Sequence, residues 1–254
     1  MPLPADLLRR PIAHRALHDR SAGRPENSPA AIRAAVEAGY AIEIDVQGTS
    51  DGQAVVFHDE WMERLTEATG FVKDYTAADL GRITLRHSTD TIPTLPQVLD
   101  IVAGRVPLLI EIKDQTDRMA ETDGRLEAAV ARDLQGYTGP VAVMSFNPHA
   151  VANMARLAPN IPRGITTAAY DYEGWAPLSP ERCDELREIA DYDRVGASFI
   201  SHEAADLARP RVAALKAKGA AILTWTIKSA KDEAKARQIA DNVTFEGYLA
   251  QNPA

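Results

Sequence analysis

The sequence predicts an α/β fold, an eight-stranded β/α (TIM) barrel with a small lobe inserted after the second strand. Eight short apolar runs alternate with longer amphipathic ones along 254 residues. That rhythm and length suit one barrel of about 250 residues better than an open doubly wound sheet. A polar, turn-rich interval of about sixty residues breaks the rhythm between the second and third runs and marks the lobe.

The runs, in order, are Pro11 to His14, Ala41 to Val46, Val106 to Lys113, Val141 to Ser145, Gly164 to Ala168, Val195 to Ser201, Ala220 to Thr226 and Asn242 to Tyr248. They are rich in Ile, Val and Leu, as strands buried on both faces must be. The first helix between them is well punctuated. Ser28 stands at the N-cap, Pro29 at the first helical position, Ile32, Ala35 and Val36 on one face, and Gly39 just past the end. Gly219 closes the helix before the seventh run in the same way. In the interrupting interval, Asp51-Gly52 is a hairpin signal, Gln53 to Phe57 an extra strand, and a turn-rich stretch continues to Pro93. No linker composition and no 20 to 50 residue repeat beyond the strand-helix unit divides the chain. One domain over 1–254, with the lobe at about 47–105, is the organisation expected.

With 45% hydrophobic and 25% charged residues, the chain can build a sizeable core. Lys and Arg total 28 against 36 Asp and Glu, a net charge of -8 without any basic run, so nucleic acid is not an expected partner. Cys183 is the one cysteine and forbids an intramolecular disulfide, which suits a reducing compartment. Met1 to Arg10 lacks the apolar core of a secretory signal, and no later run approaches a membrane span, so the expectation is a cytoplasmic protein without stable membrane insertion.

The second run reads Ile42-Glu43-Ile44-Asp45-Val46 and the third Ile110-Glu111-Ile112-Lys113. Strand alternation puts each charged pair on one face. With the isoleucines turned to the outer helices, Glu43, Asp45, Glu111 and Lys113 point into the barrel, where an uncompensated carboxylate costs several kcal/mol. A buried ion-pair ladder with Lys113 and Arg15 is one solution. The other, preferred because barrel interiors are usually apolar, is a hard divalent cation on three carboxylates with positions open to water or substrate. Of the six histidines, His14 and His58 close strands, the first run and the inserted one. Two histidines flanking a carboxylate cluster offer a general acid and a general base. His18, His87, His149 and His202 are expected in loops or helix starts, as structural or solvated residues. Three carboxylates with a divalent cation carry one net negative charge, and Arg15 and Lys113 contribute two positive ones. A monoanionic phosphodiester then brings the site to neutrality.

These residues resemble the glycerophosphodiester phosphodiesterases, whose pattern runs from His-Arg-Gly through Pro-Glu-Asn-Ser/Thr to Glu-x-Asp and Val-x-x-His-Asp. The matches here are His14-Arg15-Ala16, Pro25-Glu26-Asn27-Ser28, Glu43-Ile44-Asp45 and Val55-Val56-Phe57-His58-Asp59. Thr49 with Asp51-Gly52, Leu65-Thr66 with Gly70, Pro93-Thr94-Leu95, Glu111-Ile112-Lys113, Ser145-Phe146 and Trp225-Thr226 extend it to about residue 228. The resemblance implies a β/α barrel with an inserted lobe, Ca2+ or Mg2+ on Glu43, Asp45 and Glu111, and acid/base roles for His14 and His58. It also implies phosphate binding at Arg15 and Lys113 and a site glutamate at Glu26. The expected reaction is metal-dependent hydrolysis of a small glycerophosphodiester to glycerol phosphate and an alcohol. Trp225 is the expected apolar wall for substrate carbons, with rim packing as its other reading.

The chain departs from that pattern at three places. Ala16 replaces a glycine, Lys228 an asparagine, and Thr244-Phe245-Glu246-Gly247 the usual Thr-Asp-x-Pro. Lys228 and Glu246 fall on adjacent strand ends and are expected to pair on the alcohol side of the pocket. Two other readings are carried forward: a phospholipase D-like barrel acting on larger lipid phosphodiesters, and a catalytically silent metabolite-binding barrel. The absence of an amphipathic membrane arm weighs against the first, and the intact set of two histidines and three carboxylates against the second.

Overall fold

The computed structural model describes residues 1–252. Nine strands form its sheet: β1 (Ile12–Ala13), β2 (Ala41–Gly48), β3 (Ala54–Val56), β4 (Leu108–Ile112), β5 (Val141–Ser145), β6 (Arg163–Thr167), β7 (Phe199–Glu203), β8 (Ala221–Ile227) and β9 (Asn242–Phe245). Eight of them pair in parallel. β1 pairs with both β2 and β9, Ile12 standing opposite Ala41 and Thr244, so the ring closes as a TIM barrel. β3 alone is antiparallel and extends the end of β2, with Gln47 opposite Val55.

Helix boundaries follow local chemistry. The helix Pro29–Ala38 starts where the Ser28 hydroxyl accepts the Ala31 N–H and stops at Gly39, whose φ of 75° is costly for any residue with a Cβ. The helix Leu95–Val102 starts with a reciprocal Thr94/Gln97 capping box, and its Leu95, Val98, Leu99 and Val102 are buried in the outer layer against the barrel. Ile42, Ile44, Val46, Ile110 and Ile112 belong to that same apolar layer. Alternation therefore leaves Glu43, Asp45 and Glu111 on the other face of their strands, toward the barrel axis.

The two ends of the barrel differ chemically. At the strand N-termini the interior is apolar: Ile12, Ala41, Leu109, Ala142, Phe199 and Leu223 pack with Leu3 and Leu7 from the chain start. The helix Ala5–Arg9 stoppers this end, tied down by Asn242, whose Nδ2 donates to the carbonyls of Leu7 and Arg10 at 2.7 Å each. Phe199 fits because Gly164 has no side chain, a Cβ there lying 2.4 Å from the ring. With the floor filled, the open end is the C-terminal one, where residues at strand ends meet solvent.

The chain between β2 and β4 carries a separate apolar cluster of Val55, Phe57, Met62, Leu65, Val72, Leu80, Leu85 and Ile92 beside that mouth. Strand bounds shift locally from the sequence expectation. The sixth run begins at Phe199 instead of Val195, because Asp191–Arg194 is helical and Gly196, at φ 60°, turns the chain out of it. The first run stops at Ala13 because Arg15 and Ala16 both have positive φ, 52° and 66°, which a ladder does not admit. The last stops at Phe245 before Gly247 at φ 77°. His202, expected in a loop or helix start, lies on β7, fully buried, with Nδ1 2.8 Å from the Thr167 hydroxyl.

Candidate active site

A cavity of about 440 Å³ opens at the C-terminal end of the strands. His14 and Arg15 reach it from the end of β1, Glu43 and Asp45 from β2, and His58 from just past β3. Glu111 and Lys113 come from the end of β4, and Trp225 from β8. Eight of the nine residues anticipated from sequence line it; Glu26 stands behind Arg15. Its carboxylate accepts from Arg15 Nη1 at 2.8 Å and from Arg64 Nη1 and Nη2 at 2.8 and 2.7 Å. Burial alone would raise the Glu26 pKa, but hydrogen bonds from Arg64 and the charge of Arg15 bring it down to about 2.

Glu43, Asp45 and Glu111 converge on one point. All three are buried, and one oxygen from each lies within 4.8 Å of the others. Lys113 Nζ bridges Asp45 Oδ1 at 2.7 Å and Glu111 Oε1 at 2.5 Å, and Arg15 Nε stands 3.7 Å from Asp45 Oδ2. Burial opposes the charge on Asp45, yet Lys113, His58 and Arg15 hold its carboxyl far below the usual range. Among the described residues Glu43 makes no ion pair; the Arg15 backbone N–H donates to it at 2.8 Å, and Lys113 acts on it only at longer range. Burial, then the neighbouring Asp45 and Glu111, push its carboxyl well above the usual range. The ion-pair ladder therefore compensates two of the three carboxylates and leaves the third in want of a cation. Three buried carboxylates offering only oxygen donors fit a hard divalent ion.

Each histidine is backed by a carboxylate. His58 Nδ1 lies 2.7 Å from Asp59 Oδ1, and Asp59 in turn is gripped by Arg64. His14 Nδ1 lies 2.7 Å from Glu246 Oε2. With Nδ1 engaged, Nε2 is the ring nitrogen left for the cavity in both cases. Burial lowers the His14 imidazole below its ordinary value in spite of Glu246, so the ring is neutral near pH 7 and able to accept a proton. An aromatic wall closes one side, with Trp225 edge-on to Phe146 at 5.5 Å and Phe146 against Trp175 at 5.1 Å. The Trp225 Nε1 donates to the Ser201 carbonyl at 3.0 Å, so this ring is anchored as well as exposed to the cavity.

Three contributors were not legible in the sequence. Asn27 is buried and orients Asp45 by two hydrogen bonds; its place in the Pro-Glu-Asn-Ser match was the available signal. Arg64 joins Glu26 to Asp59 from an otherwise ordinary loop, and nothing local distinguishes it. Glu246 was expected beside Lys228, and the two are 2.9 Å apart, but its second oxygen is turned to His14.

A cation-ready carboxylate cluster between two oriented imidazoles, with two positive side chains beside it, defines a metal-assisted hydrolase for an anionic ester. The glycerophosphoryl diester phosphodiesterase profile matches residues 14–244, and the chain belongs to that family. It is a phosphoric diester hydrolase acting on glycerophosphodiesters. The chain is 30% identical over 233 residues, 88% of each chain, to the provisionally named glycerophosphodiester phosphodiesterase YhdW of Bacillus subtilis (strain 168). It is 32% identical over 172 residues to the glycerophosphodiester phosphodiesterase of Caldanaerobacter subterraneus subsp. tengcongensis, spanning 65% of this chain and 69% of that one. Among solved structures, an Oleispira antarctica phosphodiesterase in complex with the product sn-glycerol-3-phosphate shares the fold with a TM-score of 0.73 at 24% identity, over 92% of this chain and 91% of that one. A glycerophosphodiester phosphodiesterase from Agrobacterium tumefaciens str. C58 does so with a TM-score of 0.68 at 23% identity, over 93% and 96%. Among the described residues no helix is long and apolar enough to cross a membrane.

Proposed function

We propose that Glu43, Asp45 and Glu111 hold a divalent cation, Ca2+ or Mg2+, and that His14 and His58 carry out acid/base hydrolysis of a small glycerophosphodiester beside it. The observation that carries this reading is the convergence of three buried carboxylates within 4.8 Å, with Glu43 left uncompensated. When bound, such an ion supplies Lewis-acid stabilisation of charge on the phosphoryl oxygens. Arg15 and Lys113 offset the charge of the phosphodiester, and Glu26 keeps the Arg15 guanidinium extended toward it. His14 Nε2 takes the proton of the attacking water, or of a substrate hydroxyl whose cyclic phosphate is then opened by water, and His58 gives one to the departing alkoxide. Both protons exchange with solvent before the next turnover.

A compact cavity with charged residues on its floor and an aromatic side suits a small diester. Trp225 with Phe146 forms the apolar side against which glycerol or head-group carbons lie. Net charge of -8 disfavours nucleic acid as substrate. The single, buried, free thiol of Cys183 suits a reducing compartment, and on that ground we assign the protein to the cytoplasm.

The test is turnover of glycerophosphodiesters and of lysophospholipids, each with and without a chelator. Glycerol phosphate released only while divalent cation is present is the expected result. Chelator-insensitive activity would restore the buried ion-pair reading of the cluster, and faster turnover of the lysophospholipid would favour the phospholipase D-like alternative.

A further inference from the structure

We propose that Glu246 is the positioning residue for His14, fixing through Nδ1 the tautomer and orientation in which Nε2 meets the substrate. The proposal rests on the acid/base reading of His14 given above. Its geometric basis is a contact spanning almost the whole chain: Glu246 Oε2 lies 2.7 Å from His14 Nδ1, 232 residues earlier. The two are neighbours because β9 pairs with β1, Phe245 standing opposite Ala13, one residue before each of them.

The carboxylate is itself restrained. Lys228 Nζ engages the other oxygen, Oε1, at 2.9 Å. The Glu246 backbone N–H donates to the Ile227 carbonyl at 3.0 Å. His18 Nε2 stands 3.6 Å from Oε2, outside hydrogen-bond reach. Thus Oε1 belongs to Lys228 and Oε2 to His14, an arrangement that sets the rotation of the carboxylate and leaves one acceptor for one imidazole N–H. The hydrogen bond from His14, with the His18 imidazole and the Lys228 ammonium close by, holds the Glu246 carboxyl far below the usual carboxylate range, so it stays anionic wherever the enzyme works. An anionic acceptor at Nδ1 does two things. It selects the neutral tautomer protonated at Nδ1, and it stabilises the imidazolium formed once Nε2 has taken a proton.

The same contact decides against the head-group role expected for this pair from sequence. Both Glu246 oxygens are committed to side chains of the protein, and Glu246 is not among the residues lining the 440 Å³ cavity. Two residues from the places where this chain departs from the family pattern, Lys228 and Glu246, therefore act together on a residue at which it conforms.

The experiment compares Glu246→Gln, Glu246→Ala and Lys228→Met with the wild-type enzyme. Gln keeps an oxygen for Nδ1 but no charge, and Ala keeps neither. Expected is a graded fall in kcat, about tenfold for Glu246→Gln and about a hundredfold for Glu246→Ala, with KM within about twofold. Divalent-cation affinity by calorimetry should be unchanged in both. Long-range proton-nitrogen NMR of the imidazoles, with His14 assigned by its loss in His14→Asn, reads the tautomer directly. It should be protonated at Nδ1 in the wild type and in Glu246→Gln, and at Nε2 in Glu246→Ala. Lys228→Met should lower kcat less than Glu246→Gln, without altering the tautomer. Unchanged kcat in Glu246→Ala, an unchanged His14 tautomer, or a rise in KM with kcat intact would each overturn the proposal. Normal turnover in His14→Asn would instead overturn the reading on which it rests.

Discussion

Asn27 and Asp45 exchange two hydrogen bonds: Asn27 Nδ2 donates to Asp45 Oδ2 at 2.8 Å, and the Asp45 backbone N–H donates to Asn27 Oδ1 at 3.2 Å. The pairing leaves Asp45 Oδ1 for the cluster side, where Lys113 meets it. Asn27 has φ 58°, a left-handed conformation that asparagine and glycine adopt at little cost. Asn27→Gly therefore deletes the side chain without backbone strain. It should weaken divalent-cation affinity about 10- to 100-fold, the usual effect of losing a group that orients a ligand. Calorimetric titration checks it, and unchanged affinity would reduce the pairing to packing.

Alanine at His14 or His58 removes a group that moves protons and touches no carboxylate of the cluster. Either variant should lose about 10² to 10⁴ in kcat and retain cation binding. Asp45→Asn should show the opposite order of effects, losing affinity first and activity with it. Parallel titrations and turnover assays on these three variants separate proton transfer from ion binding; one common profile for all three would contradict the division of roles.

The Glu26 clamp predicts an acid limb in stability. Its folded-state pKa of about 2 lies below the ordinary 4.5. Its contribution is therefore complete above about pH 4.5 and lost as pH falls toward 2. The side chain is 8% exposed, and the shift corresponds to about 3 kcal/mol at neutral pH. Denaturant melts of wild type and Glu26→Gln should differ by about that amount at pH 7 and converge only as pH falls to about 2. A gap that stays constant with pH would place the stabilisation elsewhere.

Trp225 presents a ring to the cavity while its Nε1 is tied to Ser201. Trp225→Leu keeps apolar volume and removes the flat face. If the ring holds substrate carbons, KM should rise about 3- to 30-fold with kcat changed much less. Steady-state kinetics with two diesters of different head group would show whether glycerol or the alcohol lies there: a KM increase common to both points to glycerol.

Read alone, the chain's alternation of β-branched and charged residues along Ile42 to Val46 and Ile110 to Lys113 was enough to assign the inward faces, because side-chain direction in a strand has period two and needs no tertiary information. Strand order, the helix start at Ser28 and the histidines at strand ends were legible for the same local reason. Which groups meet across the barrel was not. Glu246 reaches His14, Asn242 ties down the N-terminal helix, and Arg64 bridges Glu26 to Asp59. Each depends on ring closure or on the seating of the lobe. Periodicity reports the face a residue occupies and carries no record of the distance to a partner 38 or 232 residues away. Closure of β9 against β1 sets that distance, and with it determines which carboxylate stands behind which imidazole.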